Sequence, residues 1–229
     1  MSYILSIETA TKYCGVALSK NGQVLVKKES NEDQYRHAEL VHPFMEEVMQ
    51  KSQVPLSELS AVSVSIGPGS YTGLRIGVSA AKGLCYALNI PIIGIDTLEI
   101  IARQISLEKA ENIQENSIIV PVIDARRMEV YTAWFDNHLT CIKKVHAAII
   151  EDQTINKWNK PDLVIGGDGA EKLQAILPKA HILNTILPDV NSQAIIAYER
   201  LSNHKTDSVA YLEPYYHKDF IAGKPKPLI

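Results

Sequence analysis

Two glycine-rich turns hold the residues best suited to bind a ligand. Gly67-Pro68-Gly69-Ser70-Tyr71-Thr72-Gly73 opens onto an apolar run, and Gly166-Gly167-Asp168-Gly169 follows another. Free N–H groups at the start of a helix attract anions, so either turn could seat a phosphate. The reactive groups are missing: the lysine of G-x-x-x-x-G-K-[ST] is absent, and G-x-G-x-x-G fails because the third glycine is Gly73. A structural turn accounts for the same residues. No serine has an obvious base and no acid pair stands out, so a hydrolase has little support. His37 and His42 are five apart and point about 140° away from each other on a helix, so they cannot share a metal ion as an i, i+4 pair would. His37 falls on a stripe with Val41 and Phe44 and reads as a packing histidine. Asp96-Thr97-Leu98-Glu99 reads as a helix cap with an acid in the first turn. Arg127, Glu129 and Tyr131 alternate along one polar side of a strand.

The elements that would position these residues follow from periodicity. Apolar runs at 3–7, 14–18 and 23–27 flank an Asn21-Gly22 pair, whose preference for positive φ marks a tight hairpin, so three antiparallel strands open the chain. Val41, Phe44, Met45 and Val48 share one face of a helix over 38–51, with Pro43 kinking it or marking its first turn. Strands at 61–66 and 91–95 alternate with helices from 72 and over 98–105, which together suggest a mixed sheet with helical cover. The polar stretch 108–116 is the expected domain connection. Beyond it, strands over 118–123, 129–135 and 163–165 and helices over 170–177 and 192–201 repeat the plan of strand, glycine turn and helix. The proline- and lysine-containing tail from Pro214 is expected to be loosely held.

The helix from Thr72 is apolar on two sides. Leu74, Gly77, Val78, Ala81, Cys85 and Leu88 fit a sheet beneath; Ile76, Ala80, Gly83 and Ala87 lie nearly opposite, edged by Thr72, Ser79 and Tyr86. Gly77 and Gly83 together cost about 2 kcal/mol of helix propensity, so close approach of a neighbour is expected at each. That neighbour is either the 38–51 helix or a helix of another protein. The spacing leaves both open.

The whole chain has 229 residues, 46% of them hydrophobic, which is ample for one large domain or two small ones. Its net charge of −3 does not favour a polyanion as a direct partner. Three cysteines without a CxxC pair argue against a disulfide framework or zinc site and fit a reducing cytoplasm. No membrane-spanning segment is apparent.

Three segments together carry a resemblance: Ile4-Leu5-Ser6-Ile7-Glu8-Thr9-Ala10-Thr11, the Gly67 to Gly77 stretch, and Asp124-Ala125-Arg126-Arg127-Met128-Glu129-Val130-Tyr131. In order and spacing they resemble the TsaB (YeaZ) family of bacteria. The resemblance implies an α/β fold of the actin-like ATPase (ribonuclease H-like) architecture, with two subdomains built on mixed sheets, here drawn at 1–106 and 107–229. It also implies a non-catalytic scaffold subunit for tRNA threonylcarbamoyladenosine formation, complexed with a TsaD-type catalytic subunit, with a TsaE-type ATPase in the larger assembly. A homodimer is the expected arrangement in the partner's absence, and tRNA is expected to be held only indirectly. Glu8, Thr9, Gly67, Gly69, Gly167 and Gly169 fall at the superfold's phosphate loops. However, Glu8 replaces the family's usual Asp and Ala10 the glycine of the ATPases, which implies no cofactor bound by this chain alone and leaves ATP or ADP to the complex. Where the catalytic subunit carries a His-x-x-x-His metal pair, this chain reads Asp96 to Ile100, so no metal is expected. The expected partner interface is Val41, Phe44, Met45, Val48, Thr72, Ile76, Ser79, Ala80 and Gly83. The rival readings are a small-molecule kinase of the same superfold and a metallopeptidase.

Overall fold

The protein is seen here in a computed structural model that describes residues 1–32, 36–108 and 114–216. Three antiparallel strands, β1 (Tyr3–Glu8), β2 (Cys14–Lys20) and β3 (Gln23–Ser30), open the chain as the alternation predicts. Asn21 (φ 51°) and Gly22 (φ 82°) turn the β2–β3 hairpin, the positive-φ pair a two-residue turn requires. Helix α1 (His37–Ser52) leads to β4 (Leu59–Gly67), and helix α2 (Tyr71–Leu88) to β5 (Ile92–Asp96). Pro43 lies in the second turn of α1. β4 and β5 join β1 in parallel, giving a mixed sheet of order β3-β2-β1-β4-β5.

Helix α3 (Thr97–Glu108) crosses to the second sheet, built from β6 (Ile118–Asp124), β7 (Glu129–Phe135), β8 (Cys141–Ile149), β9 (Leu163–Gly166) and β10 (His181–Leu183) in the order β10-β9-β6-β7-β8. A short helix, α4 (Asp152–Trp158), precedes β9, and α5 (Val190–Ser202) follows β10. This is the two-sheet actin-like α/β architecture. Of the polar connection expected at 108–116, residues 109–113 lie outside the described residues.

Five layers result. α1 and α2 cover one face of the first sheet, where Leu5, Ile7, Val62 and Val64 meet Val41, Val48, Val78 and Ala81. α5 covers the other face, with Ile196 and Ala197 against Ile4, Ala61, Ile93 and Ile95. α3 is apolar on both sides: Ile100 joins the α5 layer while Leu98, Ile101 and Ile105 enter the core of the second sheet. The far face of that sheet is closed by Trp158, Ala170, Leu173 and Leu177.

Two sequence expectations change here. The segment 170–177 is not an α-helix; a 3-10 turn at Glu171–Leu173 and looser turns set Ala170, Leu173 and Leu177 into the core. Pro178 disfavours a helical Leu177, and β10 begins three residues later, so no room remains for a regular helix. The tail is held at its start: Tyr215 N–H donates to Ile66 O (2.7 Å) and Leu212 enters the first core. The rest of the expected loose tail, 217–229, lies outside the described residues.

Candidate functional site

The first glycine turn is packed against the end of β1. Ser70 N–H donates to Ala10 O (2.6 Å), and a Cβ on Gly69 would stand 2.3 Å from that same oxygen, a distance only glycine allows. Ser70 Oγ accepts from Gly73 N–H (3.2 Å) and caps α2. Glu8 is fully buried beside it. Its Oε1 accepts from Ala10 N–H (2.7 Å) and from Ser65 Oγ (2.8 Å), while Oε2 has no hydrogen-bond partner among the described residues. Burial pushes the Glu8 carboxyl up to about 7, against the pull of the Ala10, Ser65 and Thr9 bonds. Thr9 is fully buried; its side chain lies against α2, 2.3 Å from where a Cβ of Gly77 would stand. The fold thus brings Glu8, Thr9, Gly67 and Gly69 together, with the loop's space and its Ser70 and Ala10 donors used within the chain.

Gly167 and Gly169 belong to the second sheet. Gly167 (φ 127°) presses on β6, where a Cβ would lie 2.0 Å from Val122 O. Asp168 Oδ1 accepts from Asp124 N–H (2.9 Å), and Lys172 Nζ, from the following turn, pairs with Asp124 Oδ1 (2.5 Å) and donates to the carbonyls of Arg127 and Glu129. Arg127 lies in the β6–β7 turn at φ 51° rather than on the strand; Glu129 and Tyr131 are half-buried on β7. The turn acts as a brace between β6, β7 and β9.

A concave groove of about 720 Å³ lies between α1 and α2. α1 contributes Ala38, His42 and Met45, at helical spacing. α2 contributes Ile76, Ser79, Ala80 and Gly83, with Arg75, Leu84 and Ala87 beside them. The residues expected at an interface divide between the core and the groove. Val41, Phe44 and Val48 are buried against the first sheet and do not line the groove, because the strongest apolar stripe of α1 is spent on its own core. Thr72 is exposed but lies outside the groove lining. Met45, Ile76, Ser79, Ala80 and Gly83 do line it. Ala38 and His42, which also line the groove, form the i, i+4, i+7 row with Met45, one step beside the buried stripe. The glycines divide too: Gly77 is filled by Thr9, whereas among the described residues nothing stands within 4 Å of a Cβ at Gly83.

Residues 30–160 match the family model described as "TsaD: tRNA N6-adenosine threonylcarbamoyltransferase". The chain is 30% identical to the "tRNA threonylcarbamoyladenosine biosynthesis protein TsaB" of Buchnera aphidicola subsp. Baizongia pistaciae, over 85% of this chain and 87% of that one. It is 28% identical to the protein of the same description from Escherichia coli, over 98% of each. The chain belongs to the TsaB family. The solved "YeaZ from Pseudomonas aeruginosa" shares the fold, with a TM-score of 0.77 at 21% identity over 94% of this chain and all of that one.

In this TsaB-family chain the stretch from Asp96 to Ile100 serves structure. Asp96 Oδ1 accepts from Leu98 N–H (2.8 Å) at the start of α3, and burial pushes its carboxyl up to about 7. Glu99 pairs with Arg200 of α5, whose guanidinium also donates to Gly94 O (2.5 Å). His37 is the packing histidine expected, fully within the core with Nε2 at 3.3 Å from Tyr13 O. Among the described residues no cluster of His, Cys, Asp or Glu could hold a metal ion, and no helix is long and apolar enough to cross a membrane.

Proposed function

We propose that this chain is the non-catalytic subunit of a tRNA threonylcarbamoyladenosine-forming complex and docks its TsaD-type catalytic partner in the α1–α2 groove. The observation that carries the docking surface is Gly83: a helix-interior glycine that costs about 1 kcal/mol, where an added Cβ would meet nothing within 4 Å among the described residues, on a face of small residues. A helix of another chain can approach such a face closely. The same groove would serve a second copy when the partner is absent, and a TsaE-type ATPase would join the assembled pair. The chain alone binds no nucleotide on this reading; the spent N–H donors around Ala10 and the filled Gly167 turn support it. The net charge of −3 supports leaving tRNA to another subunit.

The test is reconstituted tRNA modification with and without this chain, using wild type, Ala80→Arg and Gly83→Arg. Each arginine sets an unpaired charge in the groove and is expected to weaken partner capture by about 2 kcal/mol or more, with a matching loss of modification. Equal modification without the chain refutes the assignment, and full capture by folded arginine variants removes the groove.

A further inference from the structure

One end of the groove carries a cation that the C-terminal segment holds in place. After α5 the chain is tied to the first sheet and to α2 at successive steps. Asp207 N–H donates to Ile92 O (2.8 Å), Gly94 N–H donates to Asp207 Oδ2 (2.8 Å), and Lys82 Nζ donates to the carbonyls of Ala210 (3.1 Å) and Leu212 (3.0 Å). This strap delivers Tyr216 to the first turn of α2, its ring centroid 4.8 Å from that of Tyr71. Arg75 packs beside this pair, its guanidinium 4.0 Å from the Tyr71 centroid and 5.9 Å from that of Tyr216, with its Nε donating to Tyr216 Oη (3.2 Å). An exposed arginine is ordinarily spread over many rotamers; this one is fixed by two rings, one of them 141 residues away along the chain.

Arg75 also lines the groove, where among the described residues the other titratable side chain is His42 and none of the lining is a carboxylate. The surface is therefore apolar with a pre-placed cation at one end. We infer that the groove takes a helix of the catalytic partner whose stripe of small apolar residues is flanked by a carboxylate, that this carboxylate pairs with Arg75, and that Tyr216 is the positioning residue that holds the guanidinium ready. A planar guanidinium already fixed loses little freedom on pairing with a carboxylate, and the docked helix shields the pair from water. The inference rests on the docking reading above and gives it a partner chemistry.

The experiment is calorimetric titration of the TsaD-type subunit into the full chain at about 50 mM and about 500 mM salt, a range across which exposed charge pairs are strongly screened. Wild type is expected to bind about five- to tenfold more weakly at high salt. Arg75→Gln should bind about five- to tenfold more weakly than wild type at low salt and lose the salt response; Arg75→Lys should keep part of it. Tyr216→Ala keeps the charge but frees it, and should cost about two- to fivefold, with Tyr216→Phe in between. The Arg75→Gln, Tyr216→Ala double variant should bind no more weakly than Arg75→Gln alone, which a merely structural Tyr216 would not produce. A salt response that survives Arg75→Gln, or full additivity in the double variant, overturns the inference. Ala80→Arg separates the two levels: wild-type binding by it sinks the docking reading itself, whereas its failure to bind beside an unaffected Arg75→Gln sinks only the carboxylate.

Discussion

Glu8 shows how one side chain sets a pH dependence without a charged partner at contact distance. Its carboxyl gives up hydration at the end of β1, and the two hydrogen bonds to Oε1 do not make up the loss, so the proton is held up to about pH 7 instead of the ordinary 4.5. Between those values the folded state binds more protons than the unfolded one, so stability must fall as pH rises. The contribution is complete below about 4.5 and gone above about 7, a span of about 3 kcal/mol. Asp96, raised to about 7 in the same direction, adds a parallel slope. Glu8→Gln keeps an acceptor for Ala10 and Ser65 and has no proton to lose. Urea unfolding from pH 5 to 8 should therefore show roughly half the wild-type decline in this variant; an unchanged decline would mean that Glu8 is ionised in the fold. The nearby charge that opposes ionisation, Asp189, comes from the N-cap of α5 and could not be read from the segment around Glu8.

The two glycines of α2 have opposite reasons, and their substitutions should have opposite signs. Gly77→Ala would push a methyl to 2.3 Å from Thr9 Oγ1 in a closed core, with an expected loss of about 1–3 kcal/mol. Gly83→Ala meets open space and recovers helix propensity, with an expected gain of about 0.8–1 kcal/mol. Denaturant midpoints of the two variants check both; loss of stability in Gly83→Ala would mean that this glycine has a backbone role in the free chain. At this scale the sequence was informative wherever one face is buried and the other is not. The hairpin, α1, α2 and the strands through Phe135 follow from period and turn residues alone. β8 did not, because it is an edge strand: Cys141 to Lys144 are all exposed, so no apolar alternation marks them. The packing of α1 on the first sheet and beside α2 is also long-range, and it decides which of two adjacent rows on α1 enters the core, Val41-Phe44-Val48, and which lines the groove, Ala38-His42-Met45. The glycine turns were legible as turns, but whether their N–H groups were free depended on Ala10 and Val122, residues distant in sequence.

The whole molecule is joined by exchanged helices. α3 follows the first sheet in the chain yet buries Ile101 and Ile105 in the second, while α5 follows the second and covers the first. Arg200 and Glu99 tie the two helices, as do Arg103 and Glu199 at 2.7 Å. A boundary drawn at 106/107 separates each sheet from a helix that packs on it. Without α5, the side chains of Ile4, Ile93 and Ile95 lose their cover, a loss of about 5–9 kcal/mol, which is on the scale of a domain's entire stability. The two sheets are therefore expected to unfold together, as a single calorimetric transition. Ile100→Ala opens a cavity on the first-sheet side of α3 and Ile105→Ala one on the second-sheet side, each costing about 2–5 kcal/mol. In a single cooperative unit both should lower the same midpoint, by about 4–20 °C. A second transition, or a midpoint that moves for one sheet while the other's stays in place, would show that the shared α3–α5 layer does not couple them.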